Sequence, residues 1–423
     1  MWAERGRLFM AVFRAFKALR PTEGKVAQVA ALPYDVVNRE EAAAIGKENP
    51  DSFLHVDRAE MDLPAGTDLY DAKVYQKAKE NIAKFIEDGT FIEDDSPCLY
   101  IYREIMDGRV QTGIVGCVAV DEYQNNTIRK HEFTRVEKEQ DRIRHFDVCD
   151  TNTEPVFLTY RDDKRIRSIV EGFAENNEPV YDVTASDGIR HILWVVDDEE
   201  LIAGITALFT EIPALYIADG HHRSASACKV GLKRRDENPD YTGDEEFNFF
   251  MAAIFPDSDL RIFDYNRVIK DLNGLSEEEF IEKIKAAGFA VDDMGEETYY
   301  PEAKHVFSMY LGGKWYRLTA DSSIIPDHVI DSLDVAILQN NIFEPVLGIS
   351  DPRTDKRIDF VGGIRGLGEL KRRAESDMKV AFAVYPVDVT DLLRVSDNDM
   401  VMPPKSTWFE PKLGSGLFMH RLK

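Results

Sequence analysis

The sequence predicts a mixed α/β protein with several mixed sheets, and three observations carry that prediction. Short apolar runs of strand length alternate with stretches whose apolar residues recur every three or four positions. Hydrophobic residues make up 44% and charged residues 30%, enough to bury a sizeable core and unlike a disordered or fibrous chain. With 423 residues, the chain has room for two or three domains of about 150 residues each.

In order along the chain, 12–19 and 25–32 read as short strands joined by Arg20-Pro21-Thr22-Glu23-Gly24. The first helix opens at Asn38, with Glu41 as its capping-box partner, and stops before Asn49-Pro50. A longer helix spans 68–88, with Tyr75, Ala78, Ile82 and Phe85 on one core-facing side and Gly89 as its stop. Strands at 98–103 and 110–120 flank a turn at Asp107-Gly108. Thr134 and Glu137 read as a second capping box, opening a charged, solvated helix through Arg144. Then come a strand (155–160), a helix (163–176), a strand (191–196), a helix (199–212) and a short strand (214–218) that runs into a helix at 221–236. Beyond Pro239 the pattern restarts, with strands at 247–255, 306–311, 315–318 and 379–385 and helices at 277–287, 330–343 and 363–375.

Charge narrows the function classes. Lys plus Arg number 52 against 77 Asp plus Glu, a formal net charge of −25. Such a chain repels a phosphate backbone unless its cations gather on one face, so no nucleic-acid partner is expected. Cys98, Cys117, Cys149 and Cys228 form no Cys-x-x-Cys pair, which predicts reduced thiols in a cytoplasm rather than a zinc ribbon or disulfide framework. The best apolar run, 114–120, is strand-sized, so no membrane partner is expected either. The N-terminal stretch with Arg5, Arg7, Arg14 and Lys17 lacks the apolar region and cleavage site of a signal peptide, and Met10 is a second candidate start.

The sharpest local signal is Asp219-Gly220-His221-His222-Arg223, where an apolar strand breaks and a helix begins at once. Free N–H groups and the positive end of the dipole make a helix start an anion site. Gly220 lets the backbone approach an oxyanion, Arg223 offers a bidentate fork, and His221 or His222 can donate to further phosphate oxygens. The bland alternative is an Asp cap with surface imidazoles. Asp35, after Pro33-Tyr34, is a reserve base or metal ligand. His131-Glu132 and His145 read as structural or surface residues, because their spacing is not His-Glu-x-x-His.

The same five residues resemble the phosphate-binding motif of the ParB/sulfiredoxin-like fold, most closely its archaeal free-serine kinase branch. Arg20-Pro21-Thr22-Glu23 and Pro404-Lys405-Ser406-Thr407 look like two further segments of that kinase, in the same order. Over its whole length the chain also looks like a member of the domain-of-unknown-function 1015 family, through Leu32-Pro33-Tyr34-Asp35-Val36-Val37, Lys130-His131-Glu132-Phe133-Thr134-Arg135, Lys138-Glu139-Gln140-Asp141-Arg142 and the stretch 402–417. The resemblance implies a ParB/sulfiredoxin-like nucleotide-binding core in 1–240, with an inserted region at about 36–210. A C-terminal α/β domain, 241–423, would return its tail (402–417) to the active site.

The implied activity is transfer of phosphate from ATP or ADP, with Mg²⁺, to free L-serine. Glu23 would be general base, with Asp219 and His222 completing the catalytic set and Asp219 also a candidate Mg²⁺ ligand. Lys405, Ser406 and Thr407 would bind the amino acid, although Trp408 and Phe409 follow where the kinase has Arg and His. Two other readings stay open: a nucleotide-binding switch like ParB, and a ligand-binding protein without turnover. A sulfiredoxin-like reductase needs a cysteine in the phosphate loop, and 219–223 has none.

Overall fold

In the computed structural model of the chain, which describes residues 11–423, the hairpin marked by Asp107-Gly108 lies in the middle of the largest sheet. Both turn residues take positive φ, 52° and 78°, as a two-residue connection between twisted strands demands. The stretch with Arg5 and Arg7, and Met10, lies outside the described residues.

The chain divides into one unit of Met1–Leu260 with Pro411–Lys423 and another of Arg261–Glu410. Among the described residues the first unit holds a nine-stranded mixed sheet. Its order is Ile128–Arg129, Leu215–Asp219, Val156–Tyr160, Phe249–Pro256, Arg109–Ala119, Leu99–Met106, Arg190–Val196 and Tyr181–Thr184, with Phe13–Arg14 pairing Arg109–Ala119. A smaller antiparallel sheet joins Phe91–Glu93, Ala18–Pro21, Met419–Arg421 and Thr151–Asn152. Both neighbours of Leu215–Asp219 come from 36–210, so that region is woven through the sheet rather than set apart from it. Strand Phe249–Pro256 pairs on both sides within the same sheet, which places the turn at 238–243 inside the first unit.

Three local expectations need correction. Residues 25–32 are not a strand: a 3-10 turn, Glu23–Lys25, runs into the short helix Val26–Val29. Val26 and Val29, three apart, are both buried, a helical period rather than the alternation of a strand. No Thr134 capping box forms; helix Val136–Cys149 follows Arg135 without a side-chain cap, and the Thr134 hydroxyl donates to Glu139 at 2.8 Å. Nor is that helix solvated. It packs between helices Ala72–Glu87 and His221–Glu237, and Glu139, Asp141 and Arg142 are buried. The Asn38–Glu41 capping box is present as expected, and Tyr75, Ala78, Ile82 and Phe85 are in the core.

The second unit carries a six-stranded antiparallel sheet ordered Phe289–Gly295, Lys314–Ala320, Val306–Leu311, Val380–Ala383, Tyr265–Ile269 and Ile358–Gly362, with helix Gly366–Ser376 packed on it.

The first strand is held by two contacts. Gly116 lies under the Phe13 ring, where an added Cβ would sit 2.5 Å from ring carbons and 2.9 Å from the Arg14 carbonyl oxygen. Gly116→Ala is expected to lower the unfolding free energy by about 1–3 kcal/mol through overpacking, measured by urea denaturation. The buried Glu122 carboxylate accepts the Val12 N–H. Burial raises Glu122 to about 8, with the Val12 bond opposing. Its ordinary value, 4.5, holds in the unfolded chain, so its contribution is complete below 4.5 and is lost as pH rises through 8. Glu122→Gln should therefore gain stability relative to the parent steadily from pH 4.5 to 8; a difference that stays flat across this range would contradict the assignment.

Candidate functional site

The strand Leu215–Asp219 slips register between Ile217 and Asp219 opposite Val156–Tyr160, and such a bulge re-aims the side chain that follows it. Gly220 then turns the chain at φ 92° into helix His221–Glu237. Its N–H donates to Asp219 Oδ1 at 2.9 Å. A Cβ here would crowd the Arg223 guanidinium at 3.0 Å, and the left-handed dihedral favours glycine. The first N–H groups of the helix have no preceding turn to bond and add the positive end of its dipole.

Arg223 is only 5% exposed. One of its terminal nitrogens donates to the Pro155 carbonyl at 2.7 Å and lies 3.7 Å from Glu154; the other lies 3.9 Å from Asp219. Burial works against its charge, but Glu154, Asp219 and Asp35 outweigh that and raise its pKa. The guanidinium is thus a buried brace more than an open fork. Asp219 also takes Lys412 Nζ at 3.2 Å. Burial alone would raise the Asp219 carboxyl; Lys412 and Arg223 hold it far below the usual carboxylate range.

Two distant segments converge here. Ala31 and Ser415 exchange backbone hydrogen bonds of 3.1 and 2.9 Å, the Ser415 hydroxyl donates to Glu154 at 2.5 Å, and the Gly414 N–H reaches the Tyr102 hydroxyl at 3.1 Å. This strap brings Tyr34-Asp35 and Lys412 to the turn. Asp35 as a residue is largely open to solvent, yet protein around its carboxyl raises the pKa, and the Asp219 charge raises it further while Arg223 opposes. Behind it, the Arg142 guanidinium stacks 4.2 Å over the Tyr34 ring and bonds Asp141 at 3.0 Å. Asp57, buried beside Glu154 and Arg142, is pushed well up, first by burial and then by the Glu154 charge.

The histidines turn toward the 130–135 segment. His221 is buried; its Nε2 accepts the His131 backbone N–H at 3.4 Å, and the two rings meet edge to face at 4.4 Å. Burial lowers His131 to about 4 and His221 well below its ordinary value, so both are neutral. His222 Nε2 accepts the Arg135 N–H at 2.9 Å. His145 is structural, bonded to the Val56 carbonyl at 3.2 Å.

Glu23 sits exposed at the head of its 3-10 turn, close enough for its charge to act on Tyr181. Lys405, Ser406 and Thr407 belong to the second unit. There Arg267 donates to the Lys405 carbonyl at 3.0 Å, Ser406 Oγ donates to the Pro403 carbonyl at 2.6 Å, and Trp408-Phe409 pair with Ile262–Phe263. The segment is docked, as Pro403-Pro404 and the aromatic pair imply. The structure therefore gathers Asp35 with Asp219, Gly220, His221, His222 and Arg223. Lys412, Glu154, Asp57 and Arg142 were missed by sequence reasoning. Arg142 lay inside a run read as a solvated face and Lys412 inside the 402–417 stretch, whereas Glu154 carries no local pattern at all.

A family model described as a protein of unknown function (DUF1015) matches residues 13–336. No curated protein matches the chain. Among solved structures, the chain is similar to a free serine kinase in complex with AMP, at 13% identity and TM-score 0.37, covering 73% of this chain and 90% of that one. It is also similar to SbnI with C-terminal truncation from Staphylococcus aureus, at 11% identity and TM-score 0.40, covering 72% and 87%. A third is a conserved hypothetical protein from Pyrococcus furiosus, at 13% identity and TM-score 0.35, covering 71% and 93%.

Because Glu154 depends on the Ser415 hydroxyl, Ser415→Ala should lower the unfolding free energy by about 1–3 kcal/mol, the cost of depriving a buried carboxylate of a donor. Urea denaturation reads it; a variant as stable as the parent would show that the strap does not anchor the site.

Proposed function

The chain belongs to the DUF1015 family, and from that premise we propose that it is a small-molecule phosphotransferase, moving a phosphoryl group from ATP or ADP to the hydroxyl of free L-serine. The observation that carries this reading is the convergence of Asp35 and Lys412 on the Asp219-Gly220 turn. A helix start, a lysine and a carboxylate of raised pKa are the parts phosphoryl transfer needs: anion binding, charge neutralisation and a proton acceptor.

In this mechanism the first-turn N–H groups and Lys412 hold the phosphate oxygens. His222, whose Nε2 already accepts a bond, carries its ring proton on Nδ1 and donates from there. Asp35 takes the serine hydroxyl proton as the oxygen attacks. Arg223, tied to Glu154 and Asp219, keeps the turn in shape. Glu23 is the competing base, supported by resemblance, and Lys405, Ser406 and Thr407 are the candidates for holding the amino acid on the same ground.

Asp219 already faces two cations, Lys412 and Arg223, whose charges oppose a magnesium ion there; no step here depends on a magnesium ion held by the protein. A second reading, nucleotide binding without turnover, is favoured by Arg223, which is turned to the Pro155 carbonyl, Glu154 and Asp219 as a structural brace.

Phosphorus NMR on protein with magnesium, L-serine and either nucleotide tests the proposal. A phosphoserine resonance is expected, its rate of appearance falling roughly 10²-fold or more in Asp35→Asn, as for loss of a general base. Loss in Glu23→Gln with activity kept in Asp35→Asn would move the base to Glu23. Nucleotide binding without phosphoserine would sink the kinase and leave the switch.

A further inference from the structure

The strand Ile128–Arg129 runs parallel to Leu215–Asp219, with Ile128 opposite Leu215 and Arg129 opposite Tyr216. Strands in parallel register deliver the residues beyond their ends to the same side of the sheet. His131-Glu132 and His221 therefore emerge together, although 90 positions separate the two histidines. Their ligand atoms, one each from His131, Glu132 and His221, all lie within 4.8 Å of one another.

The hydrogen bonds prepare both rings. His131 bonds the Ile217 backbone carbonyl, which holds one ring nitrogen as N–H and leaves the lone pair on the other. A backbone carbonyl behind an imidazole is the usual device for orienting a metal-ligating histidine. The His221 Nε2 lone pair takes only a long bond, 3.4 Å, from the His131 N–H.

We propose that His131, Glu132 and His221 bind a divalent transition-metal ion such as zinc. Two imidazoles and one carboxylate suit zinc or cobalt better than magnesium, which prefers an all-oxygen shell. Ligand atoms around a tetrahedral zinc stand roughly 3.4 Å apart, so the three side chains need close by only on the order of an ångström. Three protein ligands leave a position for water or a phosphate oxygen. The Asp219 carboxylate, whose charge acts on both rings, offsets part of the ion's charge from outside the ligand shell. The site does not depend on the kinase reading, since its test reads the metal itself.

The test is titration of the metal-stripped full chain with Co²⁺, followed by its visible d–d absorption, and competition by Zn²⁺. One ion per chain is expected, with bands of the intensity of a four- or five-coordinate site that zinc abolishes. Glu132→Gln, which leaves the buried rings intact, should weaken binding by about tenfold or more. His131→Ala should remove the bands, with circular dichroism to confirm its fold, and His328→Ala at an exposed position should leave them unchanged. Absence of the bands in the parent protein would overturn the proposal. So would undiminished cobalt affinity in Glu132→Gln, whether or not His131→Ala folds.

Discussion

A guanidinium that cannot shed its proton is buried at Arg223, and the site is built around that constraint. A charge taken out of water must be met by opposite charge and hydrogen-bond acceptors or the fold does not hold. Glu154 at 3.7 Å, Asp219 at 3.9 Å and the Pro155 carbonyl at 2.7 Å meet it. Each partner imposes a further requirement. Asp219 must leave its strand at the right angle, which the bulge and Gly220 provide. Glu154 must itself be held, which the Ser415 hydroxyl does. Gly220 holds a left-handed φ of 92° that a side chain would strain, and an added Cβ would press on the guanidinium at 3.0 Å.

The same economy governs the acidic chain as a whole. With 25 more acids than bases, it places several of its cations inside: Arg142, Arg223, Arg234 and Arg267 are all buried. Arg142 and Arg223 both act on Tyr34, while Asp57 and Glu154 crowd each other beside Arg142. Burial and the Glu154 charge drive Asp57 toward its neutral form, so the interior carries less negative charge than its carboxylates imply. Around the turn this leaves carboxylates of opposite character. Asp219 is locked as an anion by two cations, and Asp35 is raised by burial and by the charge of Asp219 itself. Environments that push two carboxylates apart are what distinguishes a group that only holds charge from one that can exchange a proton.

The second unit shows a docked segment built by other means. A buried Arg267 caps the carbonyls of Pro404 and Lys405, the Lys405 ammonium lies 5.3 Å over the Tyr265 ring, and Trp408 meets that ring edge-on at 5.1 Å. Aromatic faces and one guanidinium hold 404–408 in place.

The sequence by itself determined what lies within a few residues: the mixed α/β class, the Asn38–Glu41 cap, the Asp107-Gly108 hairpin, the core face of Ala72–Glu87, and a helix start at Asp219-Gly220. These are local because dihedral preference, capping and periodicity act over one or two turns of chain. Only the tertiary structure decided that the charged run through Arg142 is buried, that Asp35 rather than a remoter carboxylate lies beside the turn, and that His131 meets His221. Lys412 stands 193 positions from Asp219 and Ser415 stands 261 from Glu154. A contact across such separations leaves no periodicity and no motif, since what selects it is the need to neutralise a buried charge, and that need exists only once the sheet has brought the segments together.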